Sequence, residues 1–232
     1  MEVKKRAKNV LKMLGCVLLV VIVILAGSIA YLMLGKSVDG ASSEPTSGDE
    51  GTRSLVVYFS RSDVIETDED TDATTSASLN KVDDHLEGNT EMIAKKIQEK
   101  TGADMYSIQT KRYYRPSFMG TAARAWIKET FDMRPALTAM PKNLDNYDVI
   151  YVGYPIWWFS APMAVGTFME NYDLSDKTII PFATSEDNSA DISMDYMKKV
   201  CKDATVLDGY TANDVSDEAI EQWLQSVGVT QE

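Results

Sequence analysis

Cysteine and histidine are almost missing from this sequence, and each shortage removes a class of chemistry. The only cysteines are Cys16, inside a long apolar run, and Cys201, near the end of an expected helix. They cannot approach within the roughly 7 Å between Cα atoms that a disulfide needs, so the domain after the run must be stable without one. The sole histidine, His85, is expected in a loop, leaves no histidine-based metal cluster, and gives Cys201 no catalytic partner.

Charge is missing altogether between Lys12 and Lys36. At 1.5 Å rise per residue that stretch is long enough to cross a hydrocarbon core of about 30 Å. Residues 1–12 form a basic N-terminus, residues 13–35 the expected transmembrane anchor, and the basic cluster predicts a cytoplasmic N-terminus with the rest outside. A cleavable signal peptide is the rival, because Ser28-Ile29-Ala30 fits a small-x-small cleavage pattern. Cys16 precedes the apolar run instead of following it, so a lipoprotein signal fits badly.

Basic residues are scarce beyond that point. Residues 1–36 carry six Lys or Arg against Glu2, so of the net charge of −12 the remaining chain holds −17. So acidic a body argues against nucleic acid, whose binding rests on cations neutralising phosphates.

Residues 36–52 are Gly, Ser, Pro and acid without an apolar period, which reads as a flexible linker. A domain spans residues 53–232, and within it short apolar runs alternate with helical periods. Strands are expected at 54–59, 104–110, 147–155, 177–184 and 204–210, and helices at 91–102, 118–131, 162–171, 190–202 and 216–227. Five strands alternating with helices call for an α/β doubly wound parallel sheet covered on both faces. In such sheets ligands bind beyond the carboxyl ends of the strands, so the loops after Phe59, Gly153 and Phe182 are the ones that matter.

After the first strand comes Ser60-Arg61-Ser62, then an acidic insertion over residues 63–87, then Gly88-Asn89-Thr90-Glu91 opening a helix. Hydroxyls and free amides at a helix N-terminus suit a phosphate, although helix capping explains Asn89 or Thr90 equally well. After the third strand, "GYPIWWFSAP" (153–162) places two adjacent tryptophans at the sheet edge. One is expected to pack on the core and the other to stack on a flat ligand. Asp68, Asp70 and Asp72 alternate as in a calcium loop, but Ala73 and Leu79 stand where the turn glycine and final glutamate belong. Trp126, Met194, Tyr196 and Met197 are read as packing.

Together "LVVYFSRS", "GNTEMIAKKIQEKTGADMYSI", "YDVIYVGYPIWWFSAP", "KTIIPFATS" and "ATVLDGY" resemble the flavodoxin-like family, over about residues 54–229. The resemblance implies strand order 2-1-3-4-5, with FMN at the switch point between the first and third strands. It implies that Ser60, Arg61, Ser62, Asn89 and Thr90 surround the FMN phosphate. Tyr154, Pro155, Ile156, Trp157 and Trp158 would flank the ring, approached by Thr184, Ser185, Glu186 and Asn188 from the loop after the fourth strand. The implied activity is electron transfer or flavin-dependent reduction at the membrane surface, from NAD(P)H or another donor to a quinone or a redox partner protein.

Two features depart from the compact family pattern. The insertion 63–87 interrupts the phosphate loop and brings carboxylates towards it, and "PFATSEDNSAD" replaces a Gly-rich turn with Glu186 and Asp187. Carboxylates beside the ring would lower its reduction potential. Both departures also motivate a second expectation, a membrane-tethered scaffold of the same fold without cofactor.

Overall fold

The computed structural model describes residues 2–38, 42–65, 79–82, 85–212 and 216–228. Two compact units separate, Met1–Gly35 and Lys36–Glu232. The first is one helix, α1 (Glu2–Met33), whose stretch Lys12–Met33 is long and apolar enough to cross a membrane.

The second unit is built on a parallel sheet. Strand β1 (Ser54–Tyr58) lies between β4 (Asp104–Ser107) and β5 (Val149–Pro155), followed by β6 (Thr178–Thr184) and then by β7 (Thr205–Val206) and β8 (Tyr210–Thr211) side by side on β6. Counting β7 and β8 as one interrupted strand, the order is 2-1-3-4-5, as the resemblance implies.

The interruption has a local cause. Alternate N–H groups of β6 face the fifth strand: Thr205 and Leu207 donate to Lys177 and Ile179, so the next donor on that side would be residue 181. That residue is Pro181, which has no N–H. Pairing shifts by one residue there, from Ile179↔Val206 to Phe182↔Tyr210, and the expected strand 204–210 becomes two short pieces.

Both faces of the sheet are buried, which is why its strands read as unbroken apolar runs. Val56, Tyr58, Tyr151, Ile180 and Phe182 meet α2 (Asn89–Thr101) and α6 (Asp217–Ser226) through Ile93, Ile97, Ile220 and Trp223. Leu55, Val57, Ile150, Val152 and Ile179 meet α4 (Met163–Met169) and α5 (Met194–Val200) through Val165, Phe168, Met197 and Val200. Helix α3 (Phe118–Thr130) packs beside α4. Among the described residues, the buried core runs from Leu55 to Leu224, all within the second unit.

Two segments differ from the expectation. Within the insertion, β2 (Leu79–Val82) and β3 (His85–Gly88) form an antiparallel hairpin, so His85 opens a strand and Leu79 is buried in the core. Glu66, Asp68, Glu69, Asp70, Asp72, Asp83 and Asp84, including the calcium-like run, lie outside the described residues. The segment 36–52 does not run free along its described length. Thr46 pairs with Met105 through 2.7 and 2.9 Å bonds on the outer edge of β4, Asp49 donates to Gly102 O, and Tyr113 donates to Lys36 O (3.0 Å). An edge strand has unpaired backbone groups to offer, and a chain with no side-chain pattern can still take them.

Candidate functional site

A cleft of about 610 Å3 opens beyond the carboxyl ends of β1, β5 and β6. Arg61, the turn from Ile156 to Phe159, and the loop from Ser185 to Asn188 form its walls, with the outer side of α3 opposite. Its volume falls within the usual range of small-molecule sites, roughly 300–1,000 Å3.

The polar corner is built by close packing. Strand β3 runs directly into α2, and Gly88 at the junction has no side chain to cap the helix. A Cβ there would lie 1.8 Å from Ser60 Oγ and 2.7 Å from Ser62 Oγ. Glycine is required by contact, because the backbone of Gly88 is ordinary extended chain (φ −83°). Ser60 and Ser62 hydroxyls lie 2.9 Å apart, and Thr90 Oγ1 lies 2.9 Å from Thr184 Oγ1, tying α2 to the end of β6. Asn89 and Thr90 are therefore the first residues of the helix proper, not its caps, whereas Ser117 and Ser216 do cap α3 and α6.

The acidic residues described near this corner are mostly engaged elsewhere. Lys95 pairs with Glu87 (2.8 Å) and Glu91 (2.7 Å). Asp63 accepts from Ser107, and burial pushes its carboxyl above the usual carboxylate range. Burial, then the charge of Asp63, pushes the Tyr58 hydroxyl up in turn. Ser62 Oγ does reach two carboxylates, Glu91 Oε2 (3.2 Å) and Asp63 Oδ1 (3.5 Å), contacts that a phosphate would have to displace. A hydroxyl-lined corner that any Cβ would fill and an uncapped helix start fit the phosphate of FMN. Arg61 is buried at the cleft wall, where its guanidinium donates to Pro116 O (2.8 Å).

The opposite wall is aromatic and strained. Trp157 and Ser160 exchange both backbone bonds (3.0 and 3.1 Å), closing a two-residue hairpin turn. Its central residues, Trp158 and Phe159, have φ of +49° and +65°. Such turns favour Asn-Gly because non-glycine residues at positive φ cost on the order of 1–3 kcal/mol each. The turn spends this energy to hold two exposed aromatic rings at the cleft. The indole N–H of Trp158 donates to Ala122 O of α3 (2.8 Å). Trp157 packs inward, edge-on to Phe59 and Tyr114 with ring centroids 5.3 Å away from each. One tryptophan thus joins the core, as expected of one of the pair, while still lining the cleft, and the other is exposed there.

Behind Trp157, helix α3 buries basic residues beside Ala125 and Ile127. Arg124 and Lys128 are buried, while Phe118, Met119 and Trp126 face the cleft. Both basic groups lie over the ring of Tyr114, at 4.6 and 4.4 Å, and Lys128 Nζ donates to the Tyr114 hydroxyl (2.9 Å). Burial, then the charge of Arg124, brings Lys128 down to about 6, so it is neutral at pH 7. Cys201 is buried and pushed up to about 12, an unreactive thiol.

The cleft gathers Arg61, Ile156, Trp157, Trp158, Ser185, Glu186 and Asn188 of the residues picked out in the sequence. Ser60, Ser62, Asn89, Thr90 and Thr184 do not line it: Ser60 pairs with Ser62, Thr90 with Thr184, and Asn89 opens α2. Tyr154 is fully buried and its hydroxyl bonds to Ser193 (2.9 Å), so its side chain belongs to the core; Pro155 ends β5 beside it. The contribution of α3 was not foreseen. Trp126, read as packing, is half exposed at the cleft, and the signal was there in apolar residues out of step with the buried face.

A family model described as Flavodoxin matches residues 82–227, which leaves the first strand and Ser60 to Ser62 outside the match. Among solved structures, an inferred flavoprotein from Bacteroides eggerthii is 29% identical, covering 77% of this chain and 99% of its own, with a TM-score of 0.59. Another from Bacteroides uniformis is 29% identical over 76% and 99%, with a TM-score of 0.60. A flavoprotein from Lactobacillus acidophilus, in complex with FMN, shares the fold at 17% identity, 74% and 97% coverage and a TM-score of 0.50. No curated protein matches in sequence. Strand order, the tight Gly88 junction into α2 and a match over most of the folded unit agree, and the chain belongs to the flavodoxin family.

Proposed function

We propose that the protein binds FMN and works in electron transfer or flavin-dependent reduction at the outer surface of a membrane in which α1 anchors it. The observation that carries this reading is the Gly88 junction, where Ser60, Ser62 and the start of α2 meet with no room for a Cβ. Arg61 and the hydroxyls of Ser60, Ser62 and Thr90 would hold the phosphate. Ile156, Trp157 and Trp158 would border the ring, with Ser185 to Asn188 opposite. Bound FMN would supply one- or two-electron transfer. Glu186 and Asp187 at the cleft disfavour added negative charge, which lowers the potential and favours an uncharged acceptor such as a quinone, or a protein partner, over a polyanion. The Ser62 to Glu91 bond favours the second reading, a cofactor-free scaffold, because it occupies a phosphate-binding hydroxyl.

Titrating residues 36–232 with FMN and following flavin fluorescence decides between them. Saturable quenching at micromolar affinity or tighter, weakened at least tenfold by Gly88→Ala, is the expected result. No quenching up to about 1 mM in a folded sample, where binding free energy is only about −4 kcal/mol, would leave the scaffold.

A further inference from the structure

The lip of the cleft exposes more apolar surface than a freely soluble domain needs. Met119 is 71% exposed, Phe159 63%, Phe118 46% and Trp158 44%, all lining one opening. Exposed apolar patches of this kind mark interaction sites. The backbone strain at Trp158 and Phe159 shows that their display is maintained at a cost.

The course of the chain says what covers the lip. Val38 donates to Lys111 O (3.1 Å) and Tyr113 donates to Lys36 O (3.0 Å), so the second unit begins pinned to the segment that leads directly into Phe118 and Met119. The apolar segment able to span a bilayer ends at Met33, three residues before Lys36, whose partner Tyr113 lies five residues before Phe118. Exposed Lys36 and Lys111 lie at that entry, in a chain whose remainder is strongly acidic. Cations beside Trp, Phe and Met side chains suit the boundary between lipid headgroups and acyl chains.

We propose that Phe118, Met119, Trp158 and Phe159 form a membrane-docking surface that seats the mouth of the cleft on the bilayer. The docking stands on the lip alone; its consequence, that the acceptor is an uncharged molecule drawn from the lipid phase, rests on the FMN reading.

Flotation of cofactor-free residues 36–232 with vesicles of phosphatidylcholine, with and without phosphatidylglycerol, tests the docking without α1 and without FMN. The domain should float with the vesicles, more strongly when phosphatidylglycerol is present. Met119→Ser combined with Phe159→Ser should reduce partitioning roughly tenfold or more, since burying each side chain contributes that much. Phe131→Ser, an exposed aromatic just past the other end of α3, should leave it unchanged. If the double variant does not fold, tryptophan emission of the unaltered domain should still be quenched by vesicles with brominated acyl chains. Absence of flotation and of quenching overturns the proposal, as does flotation that the folded double variant retains; self-association in place of flotation would assign the lip to a second copy. FMN titration in lipid-free buffer reports separately on the cofactor.

Discussion

Helices α2 and α3 are each 13 residues long, but α3 buries two basic residues beside Ala125 and Ile127, whereas α2 buries none. Helix α2 hides Ile93, Ala94 and Ile97 under the sheet and turns Lys95, Lys96 and Glu99 outward, as an amphipathic surface helix should. Helix α3 hides Arg124 and Lys128 and shows Phe118, Met119 and Trp126. The first arrangement follows from minimising free energy. The second desolvates two basic side chains, and it makes sense where the outward apolar face has something to hold.

The contrast predicts substitution effects of different size and sign. In α2, Ile97→Ala should destabilise the domain by about 2–5 kcal/mol in chemical denaturation, the range for emptying a fully buried aliphatic site. In α3, Lys128→Met should act through pH. The folded amine titrates near about 6, whereas an unfolded lysine titrates near about 10.4. Between those values the unfolded chain holds a proton that the folded chain lacks, so this group makes stability rise with pH, by up to about 1.4 kcal/mol per unit. Denaturation from about pH 7 to about pH 9 should show that slope, and Lys128→Met should flatten it and raise stability at pH 7. An unchanged slope in the variant would mean that the amine is charged where it lies. The smallest stability effect belongs to Trp126→Ala, at most about 0.5 kcal/mol, because the ring is half exposed. Its affinity for FMN should nonetheless fall about three- to tenfold if the ring contacts the ligand, as aromatic pairing contributes about 0.5–1.5 kcal/mol.

Much of the fold could be read along the chain because burial on both sides leaves a plain mark. Leu55 to Phe59 and Val149 to Pro155 are uninterrupted apolar runs, and each lies where a strand formed. The hairpin over residues 79–88 left no such mark: four-residue strands carrying Asn80, Lys81, His85 and Glu87 have little apolar pattern to reveal them. The edge pairing of Thr46 with Met105 was equally silent, since it uses backbone groups and no side-chain period. The division of the fifth strand could have been suspected from Pro181, but only the register shows that its missing donor faces that strand.

The candidate site divides in the same way. Ser60, Arg61, Ser62, Asn89 and Thr90 stand out because loops at the carboxyl ends of parallel strands are predictable once the strands are, and Ser60 and Ser62 meet Gly88 at the start of α2 despite the insertion between them. The sequence by itself determined the alternation of strands and helices, the positions of those loops and the apolar N-terminal segment, since each depends on local periodicity or residue type. Tertiary structure alone decided that Thr90 meets Thr184, that Trp157 turns inward while Trp158 and Phe159 stay out, and that α3 presents its aromatic face to the cleft. A helical period shows that two faces differ. Which of them is buried depends on what lies opposite, and for α3 that is the ring of Tyr114, which takes the Arg124 guanidinium over its face and the Lys128 amine both over its face and at its hydroxyl.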